Sequence, residues 1–479
     1  MSFGTLGALA LGAYLLGLVI VAEVARRARR DTTPSDHFLA ARGLGGFVLF
    51  LTLYATAYSG NSLLGYPGEA YRRGFSWIMA TGFMMSIIVV FHVLAPKLRP
   101  LALRHGFVTP GDWIRHRFGG EAGGAPLRVA IAGLMAMALA NFLLAQLIAM
   151  GHVANEVTGG LVPYEAGVVG LAAMILLYET LGGMRAVAWT DAAQAILMGG
   201  GLLALLIWLF GEAGGLAAVT EAIARVRPEA VAVPSAREQA NWASTIVLLG
   251  TASVVYPQAI QRIYAARSAA SLRSSFSLMT FMPLTTTLVV TLIGLAAIPR
   301  LSGLGEIEAD TVMPRLLSAW AEQGPGSQAL AVLVFLGALA AIMSTADSVL
   351  LSLGAVVAVD LAGRDHSRPE TTVFGKRVAA VAMVLAVLVA LAPRFTLWRL
   401  IELKMELLIQ CVPAFLIAIH WRRLSARAVL AGVAVGTLVA AGAALLGTRR
   451  IGGVHVGVIG LAVNTACVLL VTALDRRAA

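Results

Sequence analysis

The sequence predicts an all-α polytopic membrane protein with about thirteen transmembrane helices. Three observations predict it. Of 479 residues, 59% are hydrophobic, and the mean hydropathy is +0.83. Charged residues make up only 13%, about half of the roughly 25% usual in a soluble domain. The apolar residues also cluster in runs near the ~20 needed to cross a bilayer as a helix. A chain of this size could not hide so much apolar surface in a water-soluble fold. A β-barrel is excluded, because its strands would be about ten residues long and alternating.

The predicted spans are 4–24, 44–66, 76–98, 126–155, 163–181, 186–211, 241–263, 273–298, 327–361, 375–393, 397–420, 425–446 and 453–474. The first has no basic residue before it and is followed by Arg26-Arg27 and Arg29-Arg30. That pattern, with no evident cleavage site, predicts a retained span. Lys and Arg then set the orientation. With the N-terminus outside, 24 of the 36 fall in inside segments and 11 in outside ones, while Lys404 lies within a span. The expectation is an inner-membrane, multi-pass protein with a cytoplasmic C-terminus. The same charge placement accounts for the net charge of +11 without a nucleic-acid partner. Cys411 and Cys467 sit in apolar runs and are expected as buried thiols.

Between spans, Leu216–Val226 reads as a short surface helix. Thr109-Pro110-Gly111-Asp112 offers a turn with capping groups, and Trp113–Phe118 mixes aromatic and basic residues as an interfacial helix would. The whole chain, 1–479, reads as one transmembrane domain.

Two spans carry breakers at matching places. The second contains Ser59-Gly60-Asn61-Ser62 followed by Gly65-Tyr66-Pro67-Gly68, and the seventh contains Ser253 followed by Tyr256-Pro257-Gln258. Pro257 cannot donate to the carbonyl of Ser253. Interrupted helices at corresponding points of two halves mark ion and solute sites in transporters with inverted repeats. The bland alternative is that Gly and Pro simply allow kinks and close packing. The ninth span holds a polar cluster, Ser344-Thr345-Ala346-Asp347-Ser348. Hydroxyls there either bond back to their own helix or offer oxygen to a hard cation.

With these residues in view, the chain resembles the sodium/solute symporter family, and the proline- and pantothenate-type members more than the sugar-type. The resemblance rests on five stretches. They are Phe38–Gly46, Gly65–Gly68, Leu181–Asp191 with Gln194, Gln261–Ala266 and Met343–Ser348. It implies a LeuT-like core of two inverted five-helix repeats, 44–211 and 241–420, with 4–24 and 425–474 peripheral. It also implies a sodium-coupled symporter that imports a small organic solute, an amino acid or small carboxylate, by alternating access, with Na+ as the coupling ion and no enzymatic activity.

Carried over by motif, the sodium ligands are the carbonyls of Ala55, Tyr58 and Ala341 and the hydroxyls of Ser344 and Thr345. Asp191 matches an acidic position on the ion path, and Asp347 is placed there too. Two departures stand out. Proline-transporting members have an aspartate where this chain has about Ala57. Sialic acid members have an arginine in the fourth span, where this chain offers only Asn141 and Gln146. Proton coupling on the same fold, with Asp347, Asp191 or Glu402 and Glu406 as carriers, is the alternative.

The solute is expected near Ser59, Asn61, Ser62, Tyr256, Gln258 and Gln410. In the eleventh span Glu402 and Glu406 share a face, while Lys404 lies about 200° round from Glu402. Ionisable groups at membrane depth are usually functional. The lysine would pair with a substrate carboxylate, or else all three snorkel or join an ion network between helices. His92, His152, His420 and His455 show no metal-ligand spacing.

Overall fold

Without water to satisfy them, backbone N–H and C=O groups in a bilayer must bond within their own segment, which makes helix the default for each apolar run. The computed structural model describes residues 2–27, 39, 42–301 and 303–478; within helices, the side chains of 22, 25, 26, 178, 180–197 and 476–478 lie outside the description. The helices are, in order, α1 (Phe3–Arg27), α2 (Gly46–Ala57), α3 (Tyr66–Arg73), α4 (Met79–His105), α5 (Pro110–Phe118) and α6 (Gly124–Val157). Next come α7 (Tyr164–Ala213), α8 (Leu216–Val226), α9 (Ala236–Ala252), α10 (Pro257–Ala265), α11 (Ala269–Met279) and α12 (Leu288–Ala297). The rest are α13 (Val312–Ala321), α14 (Pro325–Ala355), α15 (Pro369–Ala390), α16 (Leu397–Leu408), α17 (Ala426–Leu445) and α18 (Val456–Ala478).

Among the described residues, eight helical stretches are long and apolar enough to cross a membrane, and two bent pairs raise the number to ten. The three predicted spans that do not qualify have identifiable reasons. Span 44–66 is broken after Ala57. Span 163–181 is described as an apolar helix only to Leu177. Span 397–420 carries Arg399, Glu402, Lys404 and Glu406.

The predicted spans 163–181 and 186–211 both fall in α7, a helical element of 50 residues. The side where α14 begins and α15 ends is called the upper face here. Tyr164 Oη donates to the Ala390 carbonyl at the end of α15, and Trp208 Nε1 donates to Gln323 just before α14. Both ends of α7 therefore lie at the upper face. A straight helix of that length would reach about 75 Å, so two ends on one side fit two crossings.

The core is organised on α14. From Ala338 to Ala355 every residue of it is buried. It packs against α6, α7 and α2, and against α10. Helices α17 and α18 pair with each other.

Helix α8 has the limits the sequence indicates. Helix α5 is capped as expected, with the Thr109 and Asp112 side chains forming a capping box. Its apolar face, however, turns into the protein. Trp113, Ile114 and Phe118 are buried, and Trp113 Nε1 donates to the Ala414 carbonyl at 3.0 Å. A short hairpin, β1 (Arg450–Ile451) and β2 (Val454–His455), precedes α18, with Gly452 (φ 60°) and Gly453 (φ 91°) at its turn. Two residues with φ > 0 are what the tightest hairpin turn requires.

Candidate ion and solute site

Both broken spans meet α14 near mid-length. In the first, α2 stops at Ala57, and Tyr58 leaves the helical region at φ −105°, ψ 85°. The Gly60 amide donates outside its own helix, to Gln146 Oε1 of α6 at 3.1 Å. A β-carbon at Gly60 would lie 2.7 Å from Ala149 Cβ and 2.9 Å from Ile342 Cγ1, so only glycine seats this break against α6 and α14. A π-helical turn, Asn61–Gly65, leads into α3. In the second, α9 ends in a 3-10 turn, Ser253–Val255, and Tyr256 is extended (φ −60°, ψ 130°). Pro257 then starts α10, with a bend of 53°. Pro at a helix start loses no bond, since that N–H has no intrahelical partner anyway.

The hydroxyl of Thr345 lies between the two sets of carbonyls. Its Oγ1 is 3.3 Å from the Ala55 carbonyl and 3.0 Å from that of Ala341. Ser344 is fully buried one residue earlier. One turn lower, Ser348 Oγ donates to the Ser344 carbonyl at 3.0 Å. Three of the five expected sodium ligand positions, Ala55, Ala341 and Thr345, are thus within hydrogen-bonding reach of one oxygen. Neutral oxygens from two helices, one of them broken, form the kind of donor set a hard monovalent cation takes. Asp347 is buried on the same helix. Asp191 lies outside the described residues.

Beside these oxygens is a cavity of about 940 Å³, counting its open mouth. Ser59, Asn61, Ser62, Tyr256 and Gln258 all line it. Asn61 Oδ1, Tyr256 Oη and Gln258 Oε1 are buried there without a hydrogen-bond partner among the described residues. Unsatisfied buried polar atoms converging on one space are the mark of a site that awaits a ligand.

Gln410 is not among the lining residues. It turns away, its Nε2 donating to the carbonyls of Glu406 and Gly457, while Asn464 Nδ2 donates to the Gln410 carbonyl. It therefore ties α16 to α18. The charged trio of α16 also divides. Glu402 accepts from Trp398 Nε1 at 2.9 Å and pairs with Arg399 and Arg450, and Glu406 meets His455 Nδ1 at 3.4 Å. Those carboxylates tie α16 to the hairpin before α18, and of the three charged side chains Lys404 alone faces the cavity.

Two layers close this region above and below. Above, Glu69 holds Arg72 and Arg73, Arg72 reaches Asp310 Oδ1 at 3.1 Å, and the Leu397 amide donates to Asp310 Oδ2 at 2.8 Å. Burial pushes the Asp310 carboxyl up to about 6, outweighing the opposing pull of Arg72. Beneath that lies an aromatic cluster of Tyr66, Trp77, Phe83 and Trp398, the two indoles 4.6 Å apart. Below, the buried guanidinium of Arg262 donates to Thr52 Oγ1 (3.2 Å), Ser348 Oγ (2.7 Å) and the Gln258 carbonyl (3.2 Å). Deeper still, Asp360 Oδ1 accepts from Thr109 Oγ1 at 2.7 Å and Oδ2 from the Gly111 amide at 3.2 Å. The clamping role of Arg262 is not evident in the sequence, where it is one basic residue near a predicted span end.

Paired broken helices around a hydroxyl-bearing helix, with closures on both sides, define a membrane carrier that alternates access to a buried site. The family model of the Sodium:solute symporter family matches residues 37–436. The chain belongs to that family, and sodium is the coupling ion of its symport. It is 28% identical to the sodium/pantothenate symporter of Escherichia coli over 93% of this chain and 92% of that one. It is 27% identical to the sodium/proline symporter of the same organism, over 89% and 85%. Its fold matches the structure of a Na+-coupled sialic acid symporter in a substrate-bound outward-open state, with a TM-score of 0.80, 18% identity and coverage of 99% and 98%. The fold is thus that of the LeuT-like symporters.

Proposed function

We propose that this symporter imports a small organic solute, an amino acid or small carboxylate, across the inner membrane. Sodium is held by the carbonyls of Ala55, Tyr58 and Ala341 with the hydroxyls of Ser344 and Thr345. The solute occupies the adjoining cavity at Ser59, Asn61, Ser62, Tyr256 and Gln258. The repeats are 44–211 and 241–420, with 4–24 and 425–474 outside them. The upper face is the outside, by the Lys and Arg bias, and the C-terminus is cytoplasmic. Asp191 and Asp347 belong to the ion path below the site.

The observation that carries this reading is the Thr345 hydroxyl poised between the Ala55 and Ala341 carbonyls. Ion binding there ties α2 to α14 and favours one state of the carrier by differential affinity. Proton coupling at the solute would need a carboxylate facing the cavity, and among the described residues no Asp or Glu lines it.

The test is sodium-dependent thermal stabilisation of the purified protein, since a ligand that binds only the folded state raises its Tm. Thr345→Ala removes an oxygen and is expected to weaken apparent sodium affinity by about tenfold or more, about 1.4 kcal/mol. Ser344→Ala should do the same. A double variant with unchanged sodium response would sink this ion site.

A further inference from the structure

We propose that Lys404 recognises the solute, and that the solute is an organic monocarboxylate with an apolar body and no ammonium group. This rests on the reading of the cavity as the solute site.

Lys404 is buried and lines the cavity. Its Nζ lies 3.3 Å from the centre of the Phe142 ring and 5.7 Å from that of Tyr256. Among the described residues it has no ion pair and no hydrogen bond, only these two rings. The acids nearest in sequence are committed elsewhere. Glu402 is held by Trp398, Arg399 and Arg450, and Glu406 by His455, which in turn meets Thr245 Oγ1 at 3.0 Å.

An ammonium at this depth with no counter-ion is costly. Contact with ring faces offsets part of that cost and fixes the position of the charge. The missing partner is therefore an anion that comes and goes, and the cavity is where it enters.

The rest of the lining narrows its chemistry. The other lining cation, Arg262, already donates to Thr52, Ser348 and the Gln258 carbonyl. Among the described residues no lining side chain is acidic, so none of them can counter an ammonium group. That argues against a zwitterionic amino acid and for a simple acid. Phe83, Met84, Ile87, Leu249 and Ile401 give apolar walls, which suit an alkyl or aryl body and not a sugar. The unpartnered atoms of Asn61, Tyr256 and Gln258 remain for one or two hydroxyl or amide groups on that body.

The test compares acids with their neutral and zwitterionic counterparts. Purified protein in sodium chloride is titrated with isovalerate, isovaleramide and leucine, with phenylacetate, phenylacetamide and phenylalanine, and with pantothenate, while Tm is followed. At least one carboxylate should raise Tm, with its amide and amino acid at least about tenfold weaker, because a site built to bind a group rejects the analogue lacking it. Lys404→Met should erase the preference of acid over amide and leave the rise with sodium alone in place. Lys404→Arg should keep part of that preference.

The proposal is overturned by a wild-type protein that responds to none of the carboxylates. It is also overturned if acid and amide bind equally, or if Lys404→Met keeps the preference. Should that variant not fold, the acid–amide contrast in the wild type decides alone. If sodium by itself leaves the wild-type Tm unmoved, the ion site fails, and the same contrast measured in choline chloride still judges Lys404.

Discussion

The closures above and below the cavity are built from different chemistry. The upper one pairs full charges, Glu69 and Asp310 against Arg72 and Arg73, over a bed of four aromatic rings. The clamp directly below the cavity has one charge, Arg262, whose partners are two hydroxyls and a carbonyl. Hydrogen bonds from a cation to neutral groups are weaker than ion pairs of equal geometry, and their acceptors can be re-satisfied by an ion or by water. The upper closure thus rests on Glu69 with its two arginines and on ring packing, and responds to pH through the buried Asp310. The clamp below responds to whatever competes for the Ser348 and Thr52 oxygens.

The largest expected effect comes from breaking the clamp. Arg262→Met removes three donated bonds from a buried site and should cost about 3 kcal/mol or more, read as a fall in Tm. In the same variant, Ser352→Cys placed in a protein with Cys411 and Cys467 replaced by serine should become faster to label with a thiol reagent from the lower face. Unchanged labelling would show that Arg262 does not close that side.

Asp310 tests the upper closure by pH. Its folded pKa, about 6, is raised above the ordinary value of 3.8. Its contribution to stability is therefore fully present below about pH 3.8 and is lost as pH rises through 6. Wild-type stability should fall by on the order of 3 kcal/mol across that window, and Asp310→Asn should flatten the slope. A slope that survives the substitution assigns it to another group.

Two glycines sharpen the comparison further. A β-carbon at Gly68 would meet the Ala309 carbonyl oxygen at 2.6 Å, and one at Gly111 would meet the Asp360 carboxyl at 2.1 Å. Each alanine variant should lose about 1–3 kcal/mol by overpacking. Gly68→Ala should be the worse, because backbone yields less than a side chain, and equal Tm losses would contradict this. The smallest effect belongs to Arg115→Ala. Its 3.3 Å pair with Asp112 involves a side chain that is 42% exposed, so a loss within about 1 kcal/mol is expected by chemical denaturation.

Much of this was legible in the residues. Both helix breaks fall where Gly60 and Pro257 stand, because those residues change what the backbone can do. The direction of Lys404 followed from 100° per residue, which sets it opposite Glu402 and Glu406. The same arithmetic condemned Gln410. It is four residues beyond Glu406 and so shares the face turned toward α18, whereas depth in the membrane gives no direction around a helix. The aromatic and basic mixture of α5 did not show where its apolar face turns, since Trp113 and Phe118 suit a protein interior as well as a lipid interface. The hairpin before α18 had its signal in Gly452-Gly453, which straddles what read as the start of a span. The role of Arg262 was not legible, because two of its three partners, Thr52 and Ser348, come from other helices and sequence spacing shows neither.

The cavity wall, which among the described residues presents a lysine and no acid, also sets the electrical character of the transport cycle. An anionic cargo cancels the charge of one sodium ion, so a cycle moving one of each carries no current. The solute accumulation such a cycle can reach is set by the sodium concentration ratio alone and does not depend on membrane potential. Every further sodium ion adds one elementary charge, worth about 2.3 kcal/mol per 100 mV of membrane potential. The response of uptake to an imposed voltage therefore counts the sodium ions beyond the first.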